Sequence, residues 1–286
     1  MADTIQYMVL TSSELSDWDD YVKKHSDHTP YHLSAWGMAV KASYRHDCFN
    51  FVAKRNGKLV GVLPVTSIEI PFKGKQFCSQ PFCDLGGALA DSDEIKVQLE
   101  QFALEQMQHK GSEVIELRER SDKTNDATMN DLNGKKVSML LPLPESSELL
   151  LKGFKSKLRS QIRKAEKNGL SYEIGTGSRF INSFYDVFAK NMHRLGSPVH
   201  SKTWFESIVS EYGNSCIISI VKLDELVIGA GIVLISNNKA CIPWASTLTE
   251  YNRLSPNMLL YWSLLSCCAD TGVREFDFGR STFQEG

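Results

Sequence analysis

The chain has 286 residues, of which 42% are hydrophobic, enough for one large or two small globular domains. It carries 32 Lys and Arg against 34 Asp and Glu, a formal net charge of −2. A protein that binds nucleic acid over its whole surface is therefore excluded, and any anion site must be local. The longest apolar runs, 226–235 and 258–269, are too short to span a bilayer, and the N-terminus lacks a signal-peptide pattern.

The first half of the chain predicts two helices followed by a hairpin, a strand, a helix and a further strand. In VAKRNGKLVGVLPV, two apolar runs meet at Asn56-Gly57, a pair typical of a tight hairpin turn. The helix after it opens with acidic residues and ends at Gly111. These elements cover 14–25, 32–44, 52–65, 75–82, 93–111 and 115–117.

The second half repeats this order. IVKLDELVIGAGIVLI aligns with the first hairpin without gaps, so that Gly229 falls on Gly61. In the later helix, Ser255 suits an N-cap and Pro256 suits the first turn. The repeated elements cover 179–196, 220–235, 239–247, 255–272 and 276–278. We predict an α/β (α+β) protein with two similar domains, residues 1–144 and 145–286.

The second domain opens with a strongly basic segment, predicted as one helix over about 147–168. FKSKLRSQIRKAEKNGL holds six basic residues and a single acid, Glu166. An apolar stripe that includes Leu158 and Ile162 can dock the helix, and a basic stripe beside it offers donors to phosphate or carboxylate groups. A solvated charged face is the alternative. The basic stripe comprises Lys152, Lys155, Arg159, Arg163 and Lys167.

Several segments resemble one protein family. SKLRSQIRKAEKNGL, LSPNMLLYWSLLSCCADTGVREFDFGRS, WGMAVKASY and MHRLGSPVHSKTWFESI are similar to segments of the Fem-type peptidoglycan aminoacyltransferases. The similarity is greatest to the FemAB-like group associated with exosortase and exopolysaccharide loci. It implies two GNAT-like domains in tandem, each a mixed, mostly antiparallel sheet flanked by helices.

The resemblance also implies a function. Such a protein is an N-acyltransferase that acts on a cell-envelope or exopolysaccharide precursor in the bacterial cytoplasm, or peripherally at the inner membrane. The alternative is a non-catalytic module that binds an anion or nucleic acid through the basic helix. Turnover with any donor favours the enzyme, whereas salt-dependent RNA binding without turnover favours the module.

On the family pattern, Lys157, Arg159 and Arg163 hold the phosphates of a nucleotide- or lipid-linked sugar or peptide acceptor, or of a tRNA end. Arg159→Ala is then expected to weaken binding with little loss of stability. The acyl donor is aminoacyl-tRNA or acyl-CoA, and no tightly bound cofactor is expected. YNRLSPN has Ser255 and Asn257 where coenzyme A loops carry glycine, and DLGGALADSD has no basic residue. These departures count against acetyl-CoA and favour aminoacyl-tRNA or another donor.

Two further groups of residues are candidates for the site. Asp277 alternates with two phenylalanines at a strand end and could form a polar site with Arg280 and Ser281, or simply cap a turn. Arg194 and His200 flank a Gly-Ser-Pro turn and could contact an acceptor, or be ordinary loop residues. The predicted substrate-binding residues are Lys157, Arg159, Arg163, Arg194, His200, Trp244, Ser246, Asn257, Arg280 and Ser281, with Asp277 as the catalytic candidate.

Trp244 and Ser246 lie on the strand before the donor-side helix, where they either line a pocket or fill it. The seven cysteines show neither CxxC pairs nor histidines at metal-ligand spacing. We predict free thiols and no metal site.

The end of the chain departs from the family pattern. The first copy continues to a strand at 135–143, whereas the second stops soon after 276–278. We expect the second sheet to lack a strand and to expose an open edge. The chain would then be a truncated form, or a homodimer would supply the missing strand by strand addition.

Overall fold

The computed structural model describes residues 4–70, 72, 74–111, 114–119 and 132–284. The chain forms two compact units with their boundary between Asn133 and Gly134. Each contains a mixed sheet with helices, which confirms the α/β class and the tandem arrangement. Among the described helices, none is long and apolar enough to cross a membrane. The seven cysteines are free thiols, as predicted.

The described part of the first unit forms six strands and three helices. The strands are β1 (Ile5–Val9), β2 (Asp47–Arg55), β3 (Lys58–Ile70), β4 (Gly74–Cys78), β5 (Leu89–Ala90) and β6 (Ile115–Glu116). The helices are α1 (Leu15–Lys24), α2 (Ser34–Tyr44) and α3 (Asp93–Gln108). The strands pair in the order β1-β2-β3-β4-β6, with β5 beside β3. Only β4 and β6 among these pairs are parallel.

The β2–β3 hairpin of the first unit has the predicted turn. Asn56 and Gly57 have φ values of +51° and +77°, as a two-residue turn with both central residues left-handed requires. On one face of the hairpin, Phe51 and Leu63 pack in a core cluster with Leu99 of α3. Burial of this face fixes the register of the sheet.

The second unit has six strands and five helices among its described residues. The strands are β7 (Lys136–Pro142), β8 (Leu170–Gly175), β9 (Cys216–Leu223), β10 (Leu226–Ser236), β11 (Lys239–Thr247) and β12 (Glu275–Thr282). The helices are α4 (Ser147–Gly153), α5 (Ser156–Lys167), α6 (Ser178–Leu195), α7 (Lys202–Tyr212) and α8 (Pro256–Asp270). The strand order is β7-β12-β11-β10-β9-β8, and only β11 and β12 are parallel neighbours.

Helices cover both faces of the second sheet. On one face, Trp244 of β11 meets Trp204 of α7 edge to face, with ring centroids 6.1 Å apart. On the other face lies α8: a Cβ on Gly231 would come within 3.2 Å of Leu264 and 3.4 Å of Ala245. The glycine in β10 therefore lets α8 approach the sheet closely.

The expected gap in the second sheet is filled by the chain itself, so that prediction was wrong. β7, which was assigned to the first domain, pairs antiparallel with β12 from Glu275↔Pro142 to Thr282↔Lys136. The unit boundary consequently lies before β7 rather than after residue 144. An apolar strand pattern shows that a strand exists but not which sheet it joins. The β12 edge is not open, and strand addition by a second copy has no place there.

The basic segment is also not one helix. It is divided into α4 and α5 by Phe154 and Lys155, which have extended ψ values of 145° and 147°. The ring of Phe154 packs edge to face on Trp262 at 6.1 Å, and this burial favours the break. In α5, Ile162 and Ala165 are 3% and 0% exposed, and the helix packs on α8. The predicted docking face is thus confirmed.

A second internal repeat became visible only in the structure. HLSAW in the first unit and HSKTW in the second each place a histidine two residues before a helix, α2 and α7. The indole N–H of Trp18 donates to the carbonyl of His32 at 2.8 Å, and the Tyr185 hydroxyl donates to that of His200 at 3.2 Å. The tryptophan that closes each motif is fully buried. Helices α6 and α7 therefore correspond to α1 and α2, and the basic segment is additional.

Candidate functional site

The parallel strands of the second unit separate soon after they pair. β11 and β12 are neighbours only from Lys239↔Glu275 to Cys241↔Asp277. Beyond that point β11 continues to Thr247 with one side uncovered by β12. A bulge occurs where the register with β10 shifts, and it contains Pro243, which has no N–H to donate.

Backbone donors face this open side of β11. The N–H of Leu248 bonds to the carbonyl of Ile228 at 2.8 Å, as expected of a hydrogen-bonded pair that continues the Gly229↔Thr247 register. In an antiparallel ladder such pairs alternate along the strand. The backbone N–H and C=O of Ser246 therefore point toward β10. The N–H groups of Ala245 and Thr247 point to the opposite side, from which β12 has diverged.

A cleft of about 500 Å³ lies at this end of β11. Amide and hydroxyl side chains dominate its lining, and among the described lining residues Arg194 alone is charged. Three predicted residues, Arg194, Ser246 and Asn257, lie in it. The lining comprises Gln161, Asn191, Arg194, Ala245, Ser246, Thr247, Thr249, Asn252, Ser255, Pro256, Asn257 and Met258.

Three side chains of the cleft are connected by hydrogen bonds. Arg194 donates through a terminal nitrogen to Oδ1 of Asn191 at 3.0 Å, and Asn191 donates through Nδ2 to Oγ of Ser246 at 3.1 Å. The two residues of α6 are three apart and so lie on one face of the helix. Sequence reasoning missed Asn191, because nothing in a single amphipathic helix distinguishes one polar position from another.

The turn that leads into α8 completes the cleft. Ser255 has a φ of +66°, a left-handed conformation that glycine adopts more easily. Pro256 follows as the first helical residue and offers no N–H. Asn252, Ser255 and Asn257 line the cleft where a coenzyme A loop would have glycines. The structure therefore places these non-glycine residues in the lining of the cleft.

A basic depression of about 530 Å³ lies along α5 in the same unit. Its described lining has four cations and no acid, and its residues are Ser156, Arg159, Ser160, Arg163, Lys164, Lys167 and Asn168. Arg159 and Arg163 are brought together here as predicted, whereas Lys157 lies outside the lining. The same helix contributes Gln161 to the cleft beside β11.

Arg159 also has a structural role. One of its terminal nitrogens donates to the backbone carbonyls of Lys152 at 3.3 Å and Phe154 at 2.5 Å. These bonds hold the break between α4 and α5. The structure changes our expectation for Arg159→Ala, which should lower stability as well as anion binding, so Arg163 is the cleaner probe of the depression.

The remaining candidates on β12 have structural contacts. Asp277 is 9% exposed and accepts a hydrogen bond from the N–H of Gly279 at 2.7 Å. Gly279 has a φ of +84° and lies where the register with β7 shifts. Asp277 thus caps a bulge, the alternative reading of its position. Arg280 and Ser281 follow on the exposed part of β12, opposite Ser138 and Val137.

Trp244 and His200 belong to an aromatic cluster rather than to the cleft lining. Trp244 is 8% exposed and packs on Phe205 at 5.1 Å as well as on Trp204. The ring of His200 lies 5.8 Å from Trp204, and burial lowers the pKa of this imidazole. These residues fix β11 and α7 against each other, which positions Ser246 two residues further along the strand.

The corresponding place in the first unit is occupied by its own chain. β4 and β6 also separate, after Cys78↔Glu116. There the N–H groups of Gly86 and Gly87 both bond to the carbonyl of Arg118, at 2.9 and 3.0 Å. A Cβ on Gly87 would come within 2.3 Å of the side chain of Glu119, which would then have to move. Within the described residues, the first unit therefore does not show the open strand side that the second unit has.

A smaller polar cavity of about 270 Å³ remains in the first unit, lined in part by His32, Lys96 and Glu119. His32 is 4% exposed, and burial together with the charge of His28 lowers its pKa to about 3. The imidazole is therefore neutral at physiological pH. Glu119 accepts from Lys96 at 2.8 Å and from the Ala88 N–H at 3.2 Å.

The carboxyl group of Glu100 beside Glu119 predicts a pH effect on stability. Burial, and then the charge of Glu119, raise the pKa of Glu100 from 4.5 to about 7. The folded protein keeps a proton that the unfolded chain loses between these two values, so stability should fall as pH rises through this window. Glu100→Gln should abolish that fall. Thermal melts of the wild type and of Glu100→Gln at pH 5 and pH 8 check this. If the substitution shifts the melting temperature by the same amount at both pH values, the prediction is contradicted.

Comparison with known proteins finds a family match for the second unit. Residues 152–285 match the family described as Acetyltransferase (GNAT) domain. Among curated proteins, none matches the chain in sequence. In fold the chain is similar to FemX, with a TM-score of 0.74 and 15% identity over 96% of this chain and 88% of that one.

Two further solved structures share the fold. The C-terminal domain of a predicted lysylphosphatidylglycerol synthetase from Agrobacterium fabrum has a TM-score of 0.58 and 12% identity, over 95% of this chain and 79% of that one. A tandem GNAT protein from the clavulanic acid biosynthesis pathway has a TM-score of 0.53 and 11% identity, over 99% and 91%. Residues 152–285 thus match a GNAT acetyltransferase domain, and the chain as a whole shares its fold with FemX and with a tandem GNAT protein.

Proposed function

We propose that the protein transfers an aminoacyl group from an activated ester to an amine on a phosphate-bearing precursor of the cell envelope or of an exopolysaccharide. The observation that carries this proposal is the open side of β11 beside the polar cleft. Acyl transfer requires the amine and the acyl carbon to be held together and the carbonyl oxygen to meet hydrogen-bond donors. The N–H groups of Ala245 and Thr247 are such donors.

The cleft lining favours an aminoacyl ester over coenzyme A. A pyrophosphate is held by bare backbone N–H groups at a helix N-terminus, whereas here the lining has Asn252, Ser255 and Asn257 in place of glycines and Pro256 removes a donor. Amide and hydroxyl groups suit the ribose and the amino acid of a charged tRNA end. Aminoacyl-tRNA is accordingly the donor that we propose, with acyl-CoA as the alternative within the same family.

Acetyl-CoA should therefore bind weakly, with a dissociation constant well above the micromolar range. Isothermal titration with acetyl-CoA measures this directly. The double variant Ser255→Gly, Asn257→Gly restores the glycines and should bind acetyl-CoA more tightly than the wild type. Micromolar or tighter binding by the wild-type protein would overturn the choice of donor.

The basic depression supplies the second half of the proposal. Four cations without an acid in the described lining suit phosphate oxygens, and guanidinium groups such as that of Arg163 bind them in pairs. The synthetase from Agrobacterium fabrum is named for a lysyl group on a phosphatidylglycerol. We propose the same combination here, an aminoacyl group and a phosphate-bearing partner, with the acceptor amine on a nucleotide- or lipid-linked sugar or peptide.

Native mass spectrometry of the protein purified from its own host tests this function. We expect a nucleotide, a lipid or a tRNA fragment to co-purify, and transfer from charged tRNA to the co-purified acceptor to follow. Salt-sensitive RNA binding with no transfer to any amine would instead support the non-catalytic module. Co-purified acetyl-CoA would support the alternative donor.

A further inference from the structure

The hydrogen-bond chain in the cleft has a defined direction. A guanidinium has only donors, so the atom of Asn191 that faces Arg194 at 3.0 Å must be the carbonyl oxygen. The other end of the amide, Nδ2, then faces Oγ of Ser246 at 3.1 Å as a donor. Oγ of Ser246 must accept this bond. The direction of the whole chain thus follows from the charge of one residue.

This direction leaves the proton of the Ser246 hydroxyl unused. The residue is only 5% exposed, and none of the residues that the structure describes accepts a hydrogen bond from it. A buried donor without an acceptor is costly, by roughly 1–3 kcal/mol. Such a donor is commonly retained where a ligand supplies the acceptor. Ser246 lines the cleft next to Ala245 and Thr247, so its acceptor would be a bound molecule there.

The same series of hydrogen bonds, from Arg194 through Asn191 to Ser246, excludes other roles for this hydroxyl. A serine nucleophile or base needs a neighbour that takes its proton, but Asn191 donates to Ser246 and is itself polarised by the positive charge of Arg194. This polarisation strengthens Ser246 as a hydrogen-bond donor. A donor fixed in advance is what a developing negative charge on oxygen requires.

We propose that Ser246 donates a hydrogen bond to the acyl carbonyl oxygen of the donor, and that Asn191 is the positioning residue that directs this hydroxyl. The proposal rests on the proposed function. The amine nitrogen bonds to the acyl carbon and the carbonyl π electrons move to oxygen, where Ser246 stabilises the charge. The intermediate then expels the ester oxygen, which takes up the proton that the amine nitrogen releases.

Steady-state transfer kinetics of three variants test the proposal, with alanyl-tRNA or acetyl-CoA as donor and a uridine-diphosphate-linked muramoyl peptide as acceptor. Ser246→Ala should lower kcat about 100-fold, as loss of one such donor does elsewhere, with KM changed less than about threefold. Asn191→Asp should lower kcat by a similar factor, because a carboxylate accepts the hydroxyl proton and turns it away. The double variant should be no worse than the poorer single variant.

Stability separates this role from a structural one. The carboxylate of Asn191→Asp can pair with Arg194, so its melting temperature should equal or exceed that of the wild type while kcat falls. Ser263→Ala is the matched control, because this buried serine of α8 bonds to Ser219 at 2.6 Å and does not line the cleft. The kcat of this variant should stay at the wild-type value.

The outcomes distinguish the two proposals. If the wild type is active and the kcat of Ser246→Ala stays within threefold of the wild-type value, the role of Ser246 is overturned. A change in KM alone would overturn it as well. A fall in kcat for Asn191→Asp that merely follows a lower melting temperature would overturn the role of Asn191. If the wild-type protein transfers nothing from either donor, the proposed function itself fails, and the assignment of Ser246 fails with it.

Discussion

Reversing two charges in the basic depression, Arg163→Glu with Lys164→Glu, should weaken binding of a uridine-diphosphate amino sugar about 100-fold or more. Each charge-assisted hydrogen bond contributes about 1.5–3 kcal/mol, and about 1.4 kcal/mol corresponds to tenfold in affinity. Both side chains line the depression, and both are exposed, so folding should be unaffected. Isothermal titration and a thermal melt of the same samples measure the two effects.

Lys157→Glu is the matched control for this experiment. It reverses one charge on the same helix, but Lys157 lies outside the lining of the depression, although it was predicted from the family pattern. An exposed charge at a distance acts weakly, so its effect on affinity should be less than about threefold. Equal losses for Lys157→Glu and the double variant would mean that the whole face of α5 acts by general attraction and that the depression is not a site.

Replacing Trp204 with alanine should lower the free energy of unfolding of the second unit by about 3–5 kcal/mol. The side chain is 0% exposed and packs edge to face on Trp244, and its ring lies 5.8 Å from that of His200. A loss of this size is a large part of the roughly 5–15 kcal/mol that stabilises a domain. Because Trp244 and Ser246 lie on one face of β11, transfer activity should fall as well. Urea denaturation followed by tryptophan fluorescence measures the stability.

Trp262→Ala provides the comparison for that variant. Trp262 packs on Phe154 at the break between α4 and α5 and is only partly buried. Its loss should cost clearly less stability and leave the cleft beside β11 unchanged. If the two tryptophan variants lose the same stability, the aromatic cluster around Trp204 is not the main core on this face of the sheet.

Local patterns in the sequence predicted the elements that depend on local chemistry. Asn56-Gly57 marked a turn because few residue pairs adopt two left-handed conformations, and Gly61 with Gly229 revealed that the hairpin is repeated. The docking face of α5 followed from the spacing of Ile162 and Ala165. The resemblance to the Fem-type family was found in part in the helix and strand near the end of the chain.

Features that depend on contacts between distant parts of the chain could not be predicted from the sequence. The strand pattern of β7 is the same whichever sheet it joins, and only its pairing with β12 assigns it to the second unit. The break before α5 depends on the contact between Phe154 and Trp262, which are far apart in the chain. Asn191 enters the site only because α6 lies beside the end of β11, where Ser246 is. Asp277 stood out by its charge, yet it caps a bulge at Gly279.

The central claim is that the second unit holds the acyl donor on the open side of β11. Hydrogen–deuterium exchange with and without a non-hydrolysable alanyl-amide analogue of a charged tRNA 3′ end tests it most directly. We predict slower exchange at Ala245 and Thr247 and in the first turn of α8, with no change at Gly86 and Gly87, which already bond to Arg118. Protection around Gly86 and Gly87, with none at Ala245 and Thr247, would contradict the account.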